Sequence, residues 1–355
     1  MSTQQQGQRQ GHGQQQPIAV LRTGLVTPVG LNTAASCAAF RAKVTNPTET
    51  RFIDSGGEWI MAHQVQLAQP WRGLAKLARM AAMAISEALE AVPRDRWREL
   101  PLILCVAEAE RPGRTAGLDD ELFVLLQKEL GIEFAPGSMI VAQGRVGVAV
   151  ALLQARTMMT GQGVPRVLVA ATDSLLSWPT LGHYERENRL LTPANSNGFM
   201  PGEAAGALLL GLPEGRQGEM LCTGLGFGLE AASIDSEEPL RGDGLSLAVK
   251  AALAEAGCEM QHMDFRIADI AGEHYYFKEA ALVVSRTLRV RKAEFDLWHP
   301  AECTGEAGAA SGVAIVCAAL AACEKAYAHG PDVLAHMAND AGQRAAMCLR
   351  HRGVQ

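Results

Sequence analysis

No two of the eight cysteines form a C-x-x-C pair, and none of their spacings suits zinc. Cys37, Cys105, Cys222, Cys258, Cys303, Cys317, Cys323 and Cys348 lie far apart among mostly apolar neighbours, which suits reduced, packed thiols in a cytoplasmic protein. Clusters of basic residues are missing as well. With a net charge of -6 and scattered Lys and Arg, the chain has no electrostatic footprint for a phosphate backbone, which excludes nucleic acid as a main partner. Long apolar runs are scarce: only residues 305–322 are almost continuously small and apolar. That run carries Glu306 and is rich in Gly and Ala, which drive insertion poorly, so a buried helix is expected and not a membrane span. Residues 1–16 are Gln and Gly repeats without an apolar centre, neither a signal peptide nor a folded element, and are expected to form a disordered tail.

What is present is a chain of 355 residues, 48% hydrophobic, enough for two ordinary domains or one large two-lobed unit. Residues 18–26 read as a buried strand, and Pro28-Val29-Gly30 turns into a helix capped by Asn32. Helices at 74–92, 118–130 and 147–160 alternate with strands at 102–106 and 167–171. Two apolar runs, 204–210 and 221–226, flank the polar turn 213–218 like a hairpin. The alternation then restarts: helix 245–256, strand 267–270, helices 276–288 and 307–327, strand 333–337. An α/β protein with two similar halves, 17–213 and 214–355, is the simplest account, although no close sequence repeat joins them.

The opening Val20-Leu21-Arg22-Thr23-Gly24-Leu25-Val26-Thr27-Pro28-Val29-Gly30 resembles the V-T-G-x-G-x-x-T-P-x-G start of β-ketoacyl-acyl-carrier-protein synthases, with a shortened middle. More specific is Asn197-Gly198-Phe199-Met200-Pro201-Gly202-Glu203-Ala204-Ala205-Gly206-Ala207-Leu208, similar to that family's D-G-F-x-x-G-E-G-A-G-x-L segment. Val167 to Asp173 is similar to its V-M-V-A-G-G-A-E strand, and Thr304-Gly305-Glu306-Ala307-Gly308 to the L-G-A-A-G start of a late helix. The resemblance implies a thiolase fold, two α/β halves in a five-layered α-β-α-β-α core, usually dimeric through strand pairing. It also implies a cysteine nucleophile activated at a buried helix N-terminus and two histidines that stabilise an enolate.

The residues at those three places do not match. In Val141-Ala142-Gln143-Gly144-Arg145-Val146-Gly147 the nucleophile position falls on Gln143 or Gly144, and no cysteine lies between Cys105 and Cys222. The first histidine of A-H-G-T-x-T falls on Gly272 in Ala271-Gly272-Glu273-His274, with His274 two positions away as a candidate for a rebuilt site. The second, in G-H-T-x-G-A-A-G, falls on Glu302, an anion where an enolate needs a donor. The G-F-G-G loop is degraded to Asn339-Asp340-Ala341-Gly342.

A non-catalytic, thiolase-fold protein is therefore expected: a homodimer without cofactor or metal, acting through a protein partner. Short synthase-like proteins that lack the triad accompany type VI secretion genes, and this chain looks like that group, so the partner expected first is a secretion effector. The alternatives are a chain-length-factor-like subunit in an acyl-carrier system and an acyltransferase or hydrolase rebuilt on His274 or Glu302. His299, Glu302 and Cys303 have ligand-like i, i+3, i+4 spacing, but Pro300 opposes a regular helix there and no metal site is expected. Gly224-Leu225-Gly226-Phe227-Gly228 lacks a phosphate-binding helix and reads as strand, Arg241-Gly242-Asp243 as a loop ending in an N-cap Asp243, and Tyr275-Tyr276 as core packing or a recognition surface.

Overall fold

Local signals place the first elements, described here from a computed structural model covering residues 15–353, so nearly all of the expected tail lies outside the described residues. The first half runs β1 (Ile18–Val26), α1 (Thr33–Ala42), β2 (Thr48–Ile53), β3 (Trp59–Ala62), α2 (Gly73–Ala88), β4 (Leu102–Val106), α3 (Glu121–Leu130), β5 (Met139–Ala142), α4 (Gly147–Gly161), β6 (Arg166–Ser174), α5 (Trp178–Arg186) and β7 (Glu203–Gly211). The second runs β8 (Met220–Leu229), α6 (Asp243–Glu255), β9 (Phe265–Ala268), α7 (His274–Thr287), β10 (Leu297–Trp298), α8 (Ala301–Thr304), α9 (Ser311–Glu324), β11 (Asp332–Ala338) and β12 (Gln343–His351). Asn32 caps α1 as its side chain predicts, its Oδ1 accepting from the Ala35 N–H at 2.8 Å.

Ten strands form one sheet in the order β10-β9-β11-β12-β8-β1-β7-β6-β4-β5. Read outward from the β8–β1 seam, the two halves repeat each other. β1 and β7, and β7 and β6, pair antiparallel, while β6, β4 and β5 run parallel. β8, β12, β11, β9 and β10 follow the same sequence of directions. α4 and α9 are buried in the core between the half-sheets, α2 and α3 cover the outer face of the first, and α6 and α7 that of the second. This is the expected α-β-α-β-α arrangement, a repeat carried by topology and not by sequence.

Three expectations need correction. The two apolar runs about residues 213–218 are not a hairpin, because β1 inserts between β7 and β8 and pairs with both. The helix read over 307–327 is a 3-10 turn, Gly308–Ala310, followed by α9. Gly242, at φ 68°, is the cap of α6, and Asp243 is its first residue, salt-bridged to Arg286. The alternating glycines of β8 do lie in a strand. A Cβ at Gly224, Gly226 or Gly228 would come within 2.1, 1.9 and 2.1 Å of the carbonyls of Ala252, Ala248 and Gly244, so glycine at every second position lets α6 lie directly on β8.

Candidate functional site

α4 and α9 both begin in the middle layer, each behind a 3-10 turn opened by a left-handed glycine: Gly144 at φ 52° and Gly308 at φ 53°. Helix N-termini present unpaired N–H groups and a positive dipole end, so they attract negative charge. Here carboxylates of the protein itself take that place. Asp173, at the end of β6, accepts from the Ala309 N–H at 2.8 Å, and Glu306 accepts from the Gly308 N–H at 2.8 Å. A Cβ on Gly144 would stand 1.9 Å from Glu108 Oε2, and one on Gly308 2.0 Å from Asp173 Oδ2.

Three buried arginines hold these acids. Arg111 donates two hydrogen bonds to Glu108, at 3.0 and 2.7 Å, and one to Asp173 at 2.7 Å. Arg145 donates to Glu306 at 3.0 Å, Asp340 at 2.8 Å and the Tyr276 hydroxyl at 2.7 Å, and stands 3.8 Å from Asp269. Arg189 forms a bidentate pair with Glu273 at 2.8 and 2.9 Å and a second contact with Asp340 at 2.8 Å, its guanidinium 5.0 Å from the Tyr184 ring centre. Such bidentate, charge-assisted bonds fix planes as well as distances. The crevice that Glu108, the three arginines, Glu273, Glu306 and Asp340 surround has about 10 Å³ left, roughly room for one water. An acyl thioester does not fit there.

Three guanidinium charges face six carboxyl groups, Glu108, Asp173, Asp269, Glu273, Glu306 and Asp340, so the acids respond unequally. Burial pushes Glu306 up to about 7, against the opposing pull of Arg145 and helped by Asp269. Burial likewise raises Asp173 and Asp269. For Asp340 burial also acts upward, but Arg145 and Arg189 outweigh it and hold the carboxyl well below its usual range.

The residues singled out by sequence are only partly brought together. Gln143 and Gly144 stand at the start of α4, Gly144 bordering Glu108 of the charged centre, and neither carries a thiol. A thiol beneath Gly147, that of Cys105, is fully buried with its acidity suppressed by burial. Gly272 packs its backbone close to the Gly198 carbonyl. His274 begins α7 with an exposed side chain, its backbone N–H on Asn197 Oδ1 at 2.8 Å, and it does not enter the centre. Glu302 lies outside it as well: its side chain is 39% exposed, shared between Lys43 at 3.5 Å and His299 at 3.2 Å. The acid that does enter from this segment is Glu306, four residues on. Tyr275 and Tyr276 point inward, Tyr275 to the Ala232 carbonyl at 2.6 Å and Tyr276 to Arg145 and Asp340. Arg111, Arg189, Glu108 and Asp269 were missed by sequence reasoning. Their signal was weak: Glu108, Arg111 and Arg189 lie among other charges, as in an exposed loop, and only Asp269 is a single charge in an apolar stretch.

The segment 197–208 that carries the strongest resemblance joins the halves. Gly202 and Gly206 leave no room for a Cβ against the Thr304 carbonyl and Val313, and Glu203 accepts from the Val65 N–H and Ser174 hydroxyl at 2.9 Å each and pairs with Lys76.

No family model and no curated protein sequence matches the chain. Solved structures do. The ishigamide ketosynthase/chain length factor is 17% identical with a TM-score of 0.78, covering 96% of this chain and 100% of that one. A ketosynthase in complex with its chain length factor from Xenorhabdus doucetiae is 14% identical at 0.74, covering 96% and 99%. The module 6 ketosynthase of the bacillaene synthase from Bacillus subtilis is 13% identical at 0.75, covering 96% and 72%. The chain thus has the thiolase-like ketosynthase fold. None of its described helices is long and apolar enough to cross a membrane.

Proposed function

We propose that this chain is a non-condensing, ketosynthase-like subunit that works by pairing with another thiolase-fold protein, the role that a chain length factor has beside its ketosynthase. One observation carries the reading: the space at the head of α4 is filled by an arginine–carboxylate network where a condensing enzyme would need a thiolate and room for its acyl group. The named neighbours are ketosynthase and chain-length-factor proteins and none bears on secretion, so they favour this reading over the secretion-effector adaptor expected first. The four-residue strand β5 supports pairing, since it ends the sheet with one edge free and its Met139 is exposed; a strand of a second subunit can extend the sheet there.

The test is co-expression with a ketosynthase that carries an intact Cys-His-His set, followed by light scattering and intact-protein mass spectrometry with malonyl and longer acyl donors. A hetero-complex whose acyl adduct is confined to the partner supports the proposal. An adduct or turnover on this chain alone overturns it, and a homodimer indifferent to the ketosynthase returns it to a self-paired binding protein.

A further inference from the structure

A second cavity, of about 250 Å³, lies away from the charged centre, between the end of α1, strands β9 and β10, α8 and α9. Its floor is apolar, with Ile267 and Ala318, and three aromatic side chains, Phe40, Trp298 and Tyr327, wall it. Trp298 and Tyr327 lie 6.2 Å apart with their planes within 21°, and Phe265 backs Trp298 at 4.4 Å, so the walls are fixed from behind. The stacked pair forms one aromatic wall, and with the apolar floor it suits a small hydrophobic body.

The rim is electrostatically lopsided. Glu302 is its carboxylate and is already engaged by Lys43 at 3.5 Å and His299 at 3.2 Å. Arg41 stacks on the Tyr327 ring at 4.5 Å and has no carboxylate partner among the described residues, which leaves a planar fork of donors beside the aromatic wall. A guanidinium so placed matches a carboxylate bidentately.

We infer that this cavity binds a small monocarboxylic acid, its apolar body against the wall of Phe40, Trp298 and Tyr327 and over Ile267 and Ala318, and its carboxylate on Arg41. A cavity of about 250 Å³ has room for a ligand of the size of hexanoate or benzoate. This inference does not depend on the proposed pairing role, because the cavity shares no residue with the charged centre or with β5.

The experiment is calorimetric and fluorescence titration of the full chain with hexanoate, benzoate and the uncharged hexanol, repeated on Arg41→Gln and Ala318→Leu. Arg41 is exposed and its replacement leaves the core intact, whereas leucine at 318 fills the cavity floor. Saturable binding of the acids at least tenfold tighter than hexanol is expected. Arg41→Gln should abolish that preference while hexanol binding persists, and Ala318→Leu should remove all three. Equal affinity for hexanoate and hexanol, preference unchanged in Arg41→Gln, or no saturation by any of the three up to 10 mM (a limit set by about 2.7 kcal/mol of binding at that Kd) overturns the inference.

Discussion

Replacing Glu306 by glutamine should make the protein more stable at pH 8 and leave it nearly unchanged at pH 4.5. The side chain is buried at the start of α9, with Oε1 on the Gly308 N–H and Oε2 on Arg145. Its carboxyl is raised from an ordinary 4.5 to about 7, chiefly by burial. A raised acid binds its proton more tightly in the folded state than in the unfolded one. Stability from this group is therefore fully present below pH 4.5 and is lost as pH rises through about 7. At 1.36 kcal/mol per pH unit, the gap between those two values corresponds to about 3 kcal/mol once Glu306 is ionised. Glutamine keeps the carbonyl acceptor for Gly308 and cannot ionise, so it escapes this loss. Asp173 and Asp269, whose carboxyls burial also raises, are present in both proteins and largely cancel in the comparison. Urea unfolding from pH 4.5 to 8 should show the wild-type midpoint falling relative to that of Glu306→Gln across pH 5–7. Parallel profiles, or a variant less stable at pH 8, would refute the assignment of Glu306 as the strained acid of the network.

Three further substitutions test the packing around it. Gly144→Ala combines φ 52° with a Cβ 1.9 Å from Glu108 Oε2, so it should cost about 2 kcal/mol or more in a denaturant titration; a neutral result would mean that Glu108 is free to move. Arg145→Met strands Glu306, Asp269 and Asp340 without their shared cation, and about 3–5 kcal/mol should be lost at pH 8. The loss should shrink at pH 5, where Glu306 is protonated, as a thermal melt at the two pH values would show. Gly226→Ala drives a Cβ to 1.9 Å from the Ala248 carbonyl and should destabilise by about 1–3 kcal/mol, with faster amide exchange in α6.

The sequence made some elements legible and hid others for identifiable reasons. β1 and β4 begin and end where their apolar runs do, because both are buried strands bounded by turn residues. β12 was not read although Ala345 to Leu349 is an apolar run, because charged Arg344 and Arg350 flank it, and only the structure shows the Arg344 guanidinium fully buried against Glu279 at 2.8 and 2.9 Å. The false hairpin has a different origin: adjacency in the chain gives no sign that β1, some two hundred residues earlier, lies between β7 and β8. In the candidate site the absence of a cysteine at the head of α4 was readable. What replaced it was not, since Arg145, Asp269 and Glu306 are lone charges in apolar runs and find their partners only through the fold. The motif register put the second departure at Glu302, whereas the side chain that occupies the centre is Glu306.

The arrangement of the network says what it is for. All three arginines come from the first half of the chain, and four of the six acids, Asp269, Glu273, Glu306 and Asp340, come from the second. Buried ion pairs add little net stability, because desolvation offsets their attraction, but removing one member leaves an uncompensated charge in a low-dielectric interior. The network is therefore a poor source of folding energy and a strong constraint on geometry: it fixes the heads of α4, α7 and α9 and the β11–β12 turn against one another. The same property keeps the centre closed. To open a channel for a thioester, Arg145 or Arg189 would have to leave Asp340, which both hold at 2.8 Å, and each departure strands a carboxylate as well as the cation. A condensing site needs a cavity that fills and empties in every cycle, whereas this centre is held shut by the charges that define it, as the proposed pairing role requires.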